Sequence, residues 1–364
     1  MKDKTELPGY LREINRILID EQVGNSPLAV RVKKRLPQIQ ADIVAPDEKP
    51  ELNSGTLYLK HYKGKFLRFC PGTQYYRCCG YRIIHIGENC PLGCTYCILD
   101  SYFQDKALKV WANQEDLFSE LEKAFRANPE HLFRAGTGEF TDSLVLEPLT
   151  AYSRDLVRFL NAFPNVCLEL KSKIADLSWM DHVADPGGVL PAWSLNSEYI
   201  SREHEKKADC LESRLAAART CAENGFRVCL HFDPIIHHPG WKQGYARTIE
   251  MLFDYLQPAD IAYLSLGSFR CMPELKAIIE KQKPDCSFIY NQFVTGMDGK
   301  NRLFLPLRLE QFSFIVKKLR QNGLDKQIYF CMESDTVWKK ALGYTPRDIG
   351  GLKNHLLRQA FARG

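Results

Sequence analysis

Three cysteines crowd one short loop, Gly87-Glu-Asn-Cys90-Pro-Leu-Gly-Cys94-Thr-Tyr-Cys97, which follows the apolar run Ile83-Ile84-His85-Ile86. That run is short and β-branched, as a buried strand is. The spacing predicts a strand that delivers three thiols to its end. Thiolates so close together bind soft metals. A [4Fe–4S] cluster that only transfers electrons takes four of them; three leave one iron open to a further ligand. A zinc knuckle, or a set of buried apolar thiols, is the alternative. Zinc needs a fourth ligand, and His85 lies on the strand side of Cys90 with a side-chain parity that does not clearly favour it.

The remaining chain has the composition of an ordinary globular enzyme. Its 364 residues are 45% hydrophobic and 26% charged, enough for one large or two modest domains. Thirteen cysteines, with no signal-peptide pattern and no long apolar span, point to a reducing, cytoplasmic setting rather than a disulfide framework or a membrane. A net charge of +5 permits a nucleic-acid partner without requiring one.

Residues 1–50 are expected to be an appendage: a short helical pattern after Pro8 (Leu11, Ile14, Ile17, Leu18), then an exposed linker, Ala45-Pro-Asp-Glu-Lys-Pro50. Gly55–Arg68 alternates like a half-solvated hairpin, with Lys60, Lys63, Lys65 and Arg68 among aromatic residues, a mixture that also suits a nucleic-acid strand. Cys70, Cys78 and Cys79 follow. They could ligate a second cluster, donate a hydrogen atom or be buried, and no fourth thiol is apparent nearby. After the cysteine loop, helical and strand patterns alternate: strands at 131–135, 166–170, 192–196, 227–232 and 261–266, with helices at 113–128, 149–163 and 203–224 between them. With the strand before the loop they make six, and such alternation means parallel βαβ units. The fold class expected is α/β, a partial (β/α)6 TIM-type barrel over roughly residues 80–270. It belongs to a unit over 51–270, and a C-terminal hairpin and helical extension covers 271–364.

In barrels of this kind the site lies at the C-terminal rim of the strands. At successive strand ends stand Gly136-Thr-Gly138-Glu139, Lys171, and Ser194 with Asn196. The glycines permit close backbone approach, and Glu139 can accept hydrogen bonds from an ammonium group. Lys171 can pair with a carboxylate. Ser194 and Asn196 share a face by period two and can hold ribose hydroxyls. His231, His237 and His238 read equally well as structural or catalytic.

The cysteine loop resembles the cluster loop of radical S-adenosylmethionine (SAM) enzymes. The resemblance implies that Cys90, Cys94 and Cys97 hold a [4Fe–4S] cluster whose open iron takes the amino and carboxylate groups of SAM. Glu139, Gly138 and Lys171 would then hold SAM. From about Cys70 to Trp338 the chain resembles the spore photoproduct lyase family, radical SAM enzymes that repair a thymine dimer in DNA. The likeness is carried by the CxxxCxxC loop with Tyr96, Thr141-Asp142, Lys171 and Ser194-Leu-Asn196. It continues in Pro234-Ile-Ile, Gly240-Trp241, Gly244-Tyr245, Cys331-Met-Glu333 and Val337-Trp338. It implies a lyase-like, DNA-repairing activity, Thr141, Asp142, Ser194 and Asn196 at the cofactor, and Tyr96 returning hydrogen to SAM. A nucleic-acid substrate and an external reductant of flavodoxin or ferredoxin type would be its partners.

Two positions depart from that pattern. The lyases carry a hydrogen-donating cysteine just before a Ser-Asp pair, where this chain reads Glu139-Phe140-Thr141-Asp142. They carry a tyrosine after the third cluster cysteine, where this chain has Ile98. With no thiol in that loop, Cys70, Cys78 and Cys79 become the candidate donors. Further on, Phe288–Phe304 reads as a hairpin around Met297-Asp298-Gly299-Lys300. Lys300, Asn301 and Arg302 are expected to project from it, with Lys300 and Arg302 meeting substrate as the lyase hairpin meets a lesion. Arg347–Arg363 reads as a basic, solvated helix. Radical chemistry on a protein or small molecule, and a non-catalytic metal-containing nucleic-acid-binding module, are the competing readings.

Overall fold

The structure is a computed structural model that describes residues 7–72 and 75–362. Two sheets organise it. The smaller has five strands in the order Ala41–Val44, Arg16–Asp20, Thr56–Lys60, Leu108–Trp111 and Gly87–Glu88, the first four parallel and the last antiparallel. Where an appendage was expected over 1–50, the described part of that segment supplies two strands of this sheet and a helix, Pro27–Arg35, between them. Ile17 and Ile19 are completely buried. The spacing of Leu11, Ile14, Ile17 and Leu18 suggested a helix, yet Ile17-Leu18-Ile19 is a continuous apolar run of the kind that parallel strands covered on both faces display.

The larger sheet contains β1 (Leu67–Phe69), β2 (Arg82–Ile84), β3 (Phe133–Gly136), β4 (Val166–Ser172), β5 (Val189–Ser194), β6 (Val228–Ile235), β7 (Ile261–Ser268) and β8 (Ile328–Phe330). Their order in space is β8-β7-β6-β5-β4-β3-β2-β1. Strands β2 to β8 are parallel, and β1 pairs antiparallel with β2 at the edge. The six expected barrel strands are β2 to β7, and the sheet continues by one strand at each side. All eight residues of β7 are buried, so it is covered on both faces.

The stretch Gly55–Arg68 is not one hairpin. Thr56–Lys60 joins the small sheet and β1 the large one, leaving Lys63 and Lys65 on an exposed turn. The expected 83–86 strand likewise divides: β2 ends at Ile84, and Gly87–Glu88 pairs in the other sheet. The cysteine loop therefore begins where the chain passes from one sheet to the other. The 293–295 and 301–303 strands form the expected hairpin, extended to three strands by Arg270–Cys271 just after β7. The C-terminal helix is Leu352–Phe361, with Leu356 fully buried, so it is packed rather than solvated; Arg363 lies outside the described residues. Among the described residues, no helix is long and apolar enough to cross a membrane.

Candidate active site

The carboxyl ends of β3, β4, β5, β6 and β8 and the cysteine loop enclose a cavity of about 320 Å³. Cys90, Cys94 and Cys97 all line it. Their thiols are free, and burial pushes each one up, Cys94 to about 12. Burial makes a lone thiolate costly here, and a bound metal removes that cost by taking the charge. His85, the conceivable fourth ligand for zinc, is spent elsewhere. It is buried against Tyr62, Trp111 and Phe140 with ring centroids 4.9–5.2 Å away, and burial holds its pKa down at about 3. Among the described residues, no three Cys, His, Asp or Glu side chains converge tightly enough for a single metal ion. A cubane makes a different demand, since each thiolate binds its own iron. The donor set thus fits a cluster better than zinc.

Gly138, Glu139, Thr141, Asp142, Lys171 and Ser194 all border the same cavity. The glycines make room for protein rather than ligand. A Cβ at Gly136 would lie 2.0 Å from the Tyr81 hydroxyl and 2.4 Å from the Glu169 carbonyl. One at Gly138 would lie 2.9 Å from the Lys171 carbonyl. They let β3 run tight against β4, which brings Glu139 beside Lys171. Burial alone would discharge Lys171, but Glu139, Glu169 and Asp233 outweigh it and keep the ammonium charged. Thr141 Oγ1 and the Tyr81 hydroxyl are buried at the cavity without a protein partner. Each is open to a bound ligand.

Asp142 is a different case from the one the sequence suggested. Its Oδ1 accepts from Leu144 N (2.9 Å), Val145 N (3.1 Å) and Ser172 Oγ (2.7 Å), and its Oδ2 from Lys173 N (2.8 Å). Four donors fill a carboxylate. Asp142 braces the turns after β3 and β4 and has no lone pair left for a cofactor. Asn196 is also corrected. It lies past the end of β5 and outside the cavity lining, its amide donating to Pro234 O (3.1 Å) and accepting from Tyr245 Oη (2.5 Å). Period two placed it with Ser194, but the strand stops at Ser194.

The Tyr96 ring lines the cavity while its hydroxyl donates to Glu205. Glu205 pairs with Arg214 at 2.7 Å, both fully buried, and Arg214 donates to the Ser194 carbonyl at 2.8 Å. Of the candidate donor thiols, Cys70 and Cys79 border the cavity and Cys78 does not. A hydrogen bond from Cys78, then the charge of Arg134, holds the Cys79 thiol below its usual range. As a thiolate it has no S–H to give. Lys300 reaches the cavity, but Arg302 does not project. Arg302 is 2% exposed, paired with Asp298 at 2.7 Å, bonded to Met332 O at 3.1 Å and stacked 3.9 Å over the Tyr76 ring. It fastens the hairpin to the barrel.

Sequence reasoning missed a charged plug inside the barrel. Arg134 on β3, Glu169 on β4, His231 on β6 and Tyr263 on β7 meet there. His231 Nε2 is 3.3 Å from Glu169, Arg134 is 3.1 Å from Tyr263 Oη, and Tyr263 also donates to Glu169. The available signal was a carboxylate inside an apolar strand, Val166-Cys-Leu-Glu169-Leu, because such a group is buried only with partners.

A family model described as spore photoproduct lyase matches residues 77–328. The spore photoproduct lyase of Geobacillus sp. (strain Y412MC61) is 26% identical over 207 residues, and that of Bacillus subtilis (strain 168) 24% over 208. Each match covers 55% of this chain, and the chain spans 60% of the length of these relatives. Among solved structures, a mutant spore photoproduct lyase with dinucleoside spore photoproduct superposes with a TM-score of 0.74 at 19% identity, covering 89% of this chain and 98% of that one. A further mutant, with bound AdoMet and the same dinucleoside, gives 0.74 at 18% over the same shares. These structures share the fold. With the family model spanning more than half of the sequence, the chain belongs to the spore photoproduct lyase family.

Proposed function

We propose that this protein is a radical SAM enzyme acting on a nucleic-acid lesion of the spore photoproduct type. The observation that carries this reading is the sharing of one cavity by the three loop thiols and the strand-end groups Glu139, Lys171 and Ser194. When bound, a [4Fe–4S] cluster with SAM supplies a 5′-deoxyadenosyl radical that abstracts a substrate hydrogen. The protein's part is binding, orientation and exclusion of water. Glu139 accepts from the SAM ammonium, and charged Lys171 meets the SAM carboxylate, both charge-assisted contacts. Ser194 takes a ribose hydroxyl, with Thr141 and Tyr81 as free hydroxyls beside it. Lys300, which burial and then Arg270 pull below its usual basicity, faces the incoming backbone from the hairpin. Relatives named as spore photoproduct lyases, one of them solved with AdoMet and the dinucleoside photoproduct, support the choice of cofactor and substrate. Electrons come from an external reductant of flavodoxin or ferredoxin type.

The test is anaerobic incubation of reconstituted protein with SAM and dithionite, with and without photoproduct-containing DNA, followed by mass analysis. The reading expects 5′-deoxyadenosine and conversion of the lesion. SAM cleavage with the lesion untouched would remove the substrate assignment, and no cleavage at all would remove the enzyme class.

A further inference from the structure

A second group of thiols borders the cavity, and it sits on the seam of the barrel. The sheet begins with β1 and β2 and ends with β8. Cys70 follows β1, and Cys78 and Cys79 precede β2, while Cys331 follows β8. The two edges are fastened together. Arg77 N donates to Glu333 O at 3.2 Å, and the Arg77 guanidinium grips Asp335 with Nε 2.6 Å from Oδ1. Cys70 N is tied to Tyr81 O at 3.1 Å, and Cys331 N to Leu266 O at 3.0 Å. A Cβ on Gly72 would lie 3.1 Å from Cys78 Sγ, so the turn after Cys70 lies against Cys78. The fourth thiol that the local sequence lacked is therefore brought in from the far edge of the sheet.

We propose that Cys70, Cys78, Cys79 and Cys331 hold a second iron–sulfur cluster that bridges the barrel seam. Four features support it. All four thiols are free of disulfides. Cys79 is among the strongest charge influences on Cys70, Cys78 and Cys331 alike. Cations stand ready for an anionic centre: Arg270 Nη2 lies 3.6 Å from Cys331 Sγ, and Arg134 donates to the Cys79 carbonyl at 3.2 Å. Finally, adjacent Cys78 and Cys79 suit two irons of a cubane better than one tetrahedral zinc, and no three such donors among the described residues converge on a single point. Assembly replaces the thiol protons with iron and releases them to solvent. Four protein thiolates leave no iron open, so this centre carries electrons or braces the seam and does not bind SAM. Ligated sulfur has no S–H, which removes Cys70, Cys78 and Cys79 as hydrogen donors.

The site stands apart from the first loop, so the two can be separated. The full chain carrying Cys90→Ala, Cys94→Ala and Cys97→Ala is purified anaerobically, reconstituted with iron and sulfide, and assayed for iron, sulfide and zinc. About four irons and four sulfides per chain are expected, against about eight of each in the wild type. Adding Cys331→Ser should abolish them. A folded triple variant without iron, one holding zinc instead, or iron that survives Cys331→Ser would overturn the proposal. Should the triple variant fail to fold, Cys331→Ser alone decides: a fall from about eight irons to about four supports the second cluster, and an unchanged count refutes it. None of these outcomes depends on SAM cleavage.

Discussion

Asp142→Asn separates bracing from ligand binding. The carboxylate accepts three hydrogen bonds at Oδ1 and one at Oδ2, joining the turn after β3 to the end of β4. An asparagine in its better orientation keeps the oxygen that serves Leu144, Val145 and Ser172. Its NH2 then faces the Lys173 N–H, donor against donor. One charge-assisted bond worth about 1.5–3 kcal/mol is lost, and the other three fall toward the neutral range of about 0.5–1.5 kcal/mol. A total of roughly 3 kcal/mol follows, most of it from the orphaned Lys173 amide and the lost charge. In the unligated protein the denaturant midpoint should drop accordingly. SAM affinity should weaken by about tenfold, because Glu139 and Lys171 lose a fixed frame, while every direct SAM contact survives. Equilibrium denaturation followed by tryptophan fluorescence, together with SAM binding by calorimetry, measures both. A wild-type midpoint with SAM binding abolished would refute the reasoning and make Asp142 a direct ligand.

Glu139→Gln should give the opposite pattern: SAM bound about tenfold more weakly for the loss of a charge-assisted bond, and an unchanged denaturant midpoint. Unaltered SAM affinity would leave Glu139 a structural residue only. Replacing any one of Cys90, Cys94 or Cys97 by alanine should end 5′-deoxyadenosine formation, and wild-type yield from such a variant would defeat the radical SAM reading. Burial would raise the Glu169 carboxyl, but His231, then Arg134 and Tyr263, outweigh it and hold the group at about 2 rather than 4.5. Because the folded value lies below the unfolded one, its contribution is complete above pH 4.5 and disappears as pH falls through about 2. Glu169→Gln should therefore lower stability at neutral pH and flatten the acid limb of stability against pH. Parallel limbs for the two proteins would contradict this.

The parts of the site legible in the sequence are those fixed by local spacing. The three thiols, Glu139, Lys171 and Ser194 were found as strand-end residues, and the structure places all of them on one cavity. What escaped depends on partners distant in the chain. Nothing near Asp142 tells that Ser172 and Lys173 will consume its carboxylate. Arg302 looked like a projecting cation because its turn is polar, but the Met332 carbonyl and Tyr76 ring that enclose it come from other elements. The helix read over 149–163 is two helices broken at Ala151, where φ is 50°. The break is set by Glu147, whose carboxylate caps Ser153 N at 2.8 Å and Arg154 N at 3.2 Å, an acceptor placed before the apolar pattern begins. The 203–224 pattern similarly hid an interruption that sets Glu205 free to meet Tyr96 and Arg214.

The departures from the lyase pattern have a spatial logic of their own. Phe140 stands directly before Thr141-Asp142, where the lyases carry their donor thiol. Its ring packs edge-on to His85 at 4.9 Å and lies 6.1 Å from Tyr102 and 6.3 Å from Phe103. Ile98, in place of the lyase tyrosine, borders the same cavity two residues before Asp100 opens toward that aromatic group. Both changes remove a weak X–H bond and put carbon in its place. A phenyl C–H is too strong to quench a carbon radical. The groups assigned to SAM keep their places, since the three loop thiols, Glu139 and Lys171 all face the cavity. On the proposed reading, this chain has retained the apparatus that makes the radical and rebuilt the wall that ends it. The closing hydrogen must then come from outside that wall, from solvent, reductant or the substrate itself.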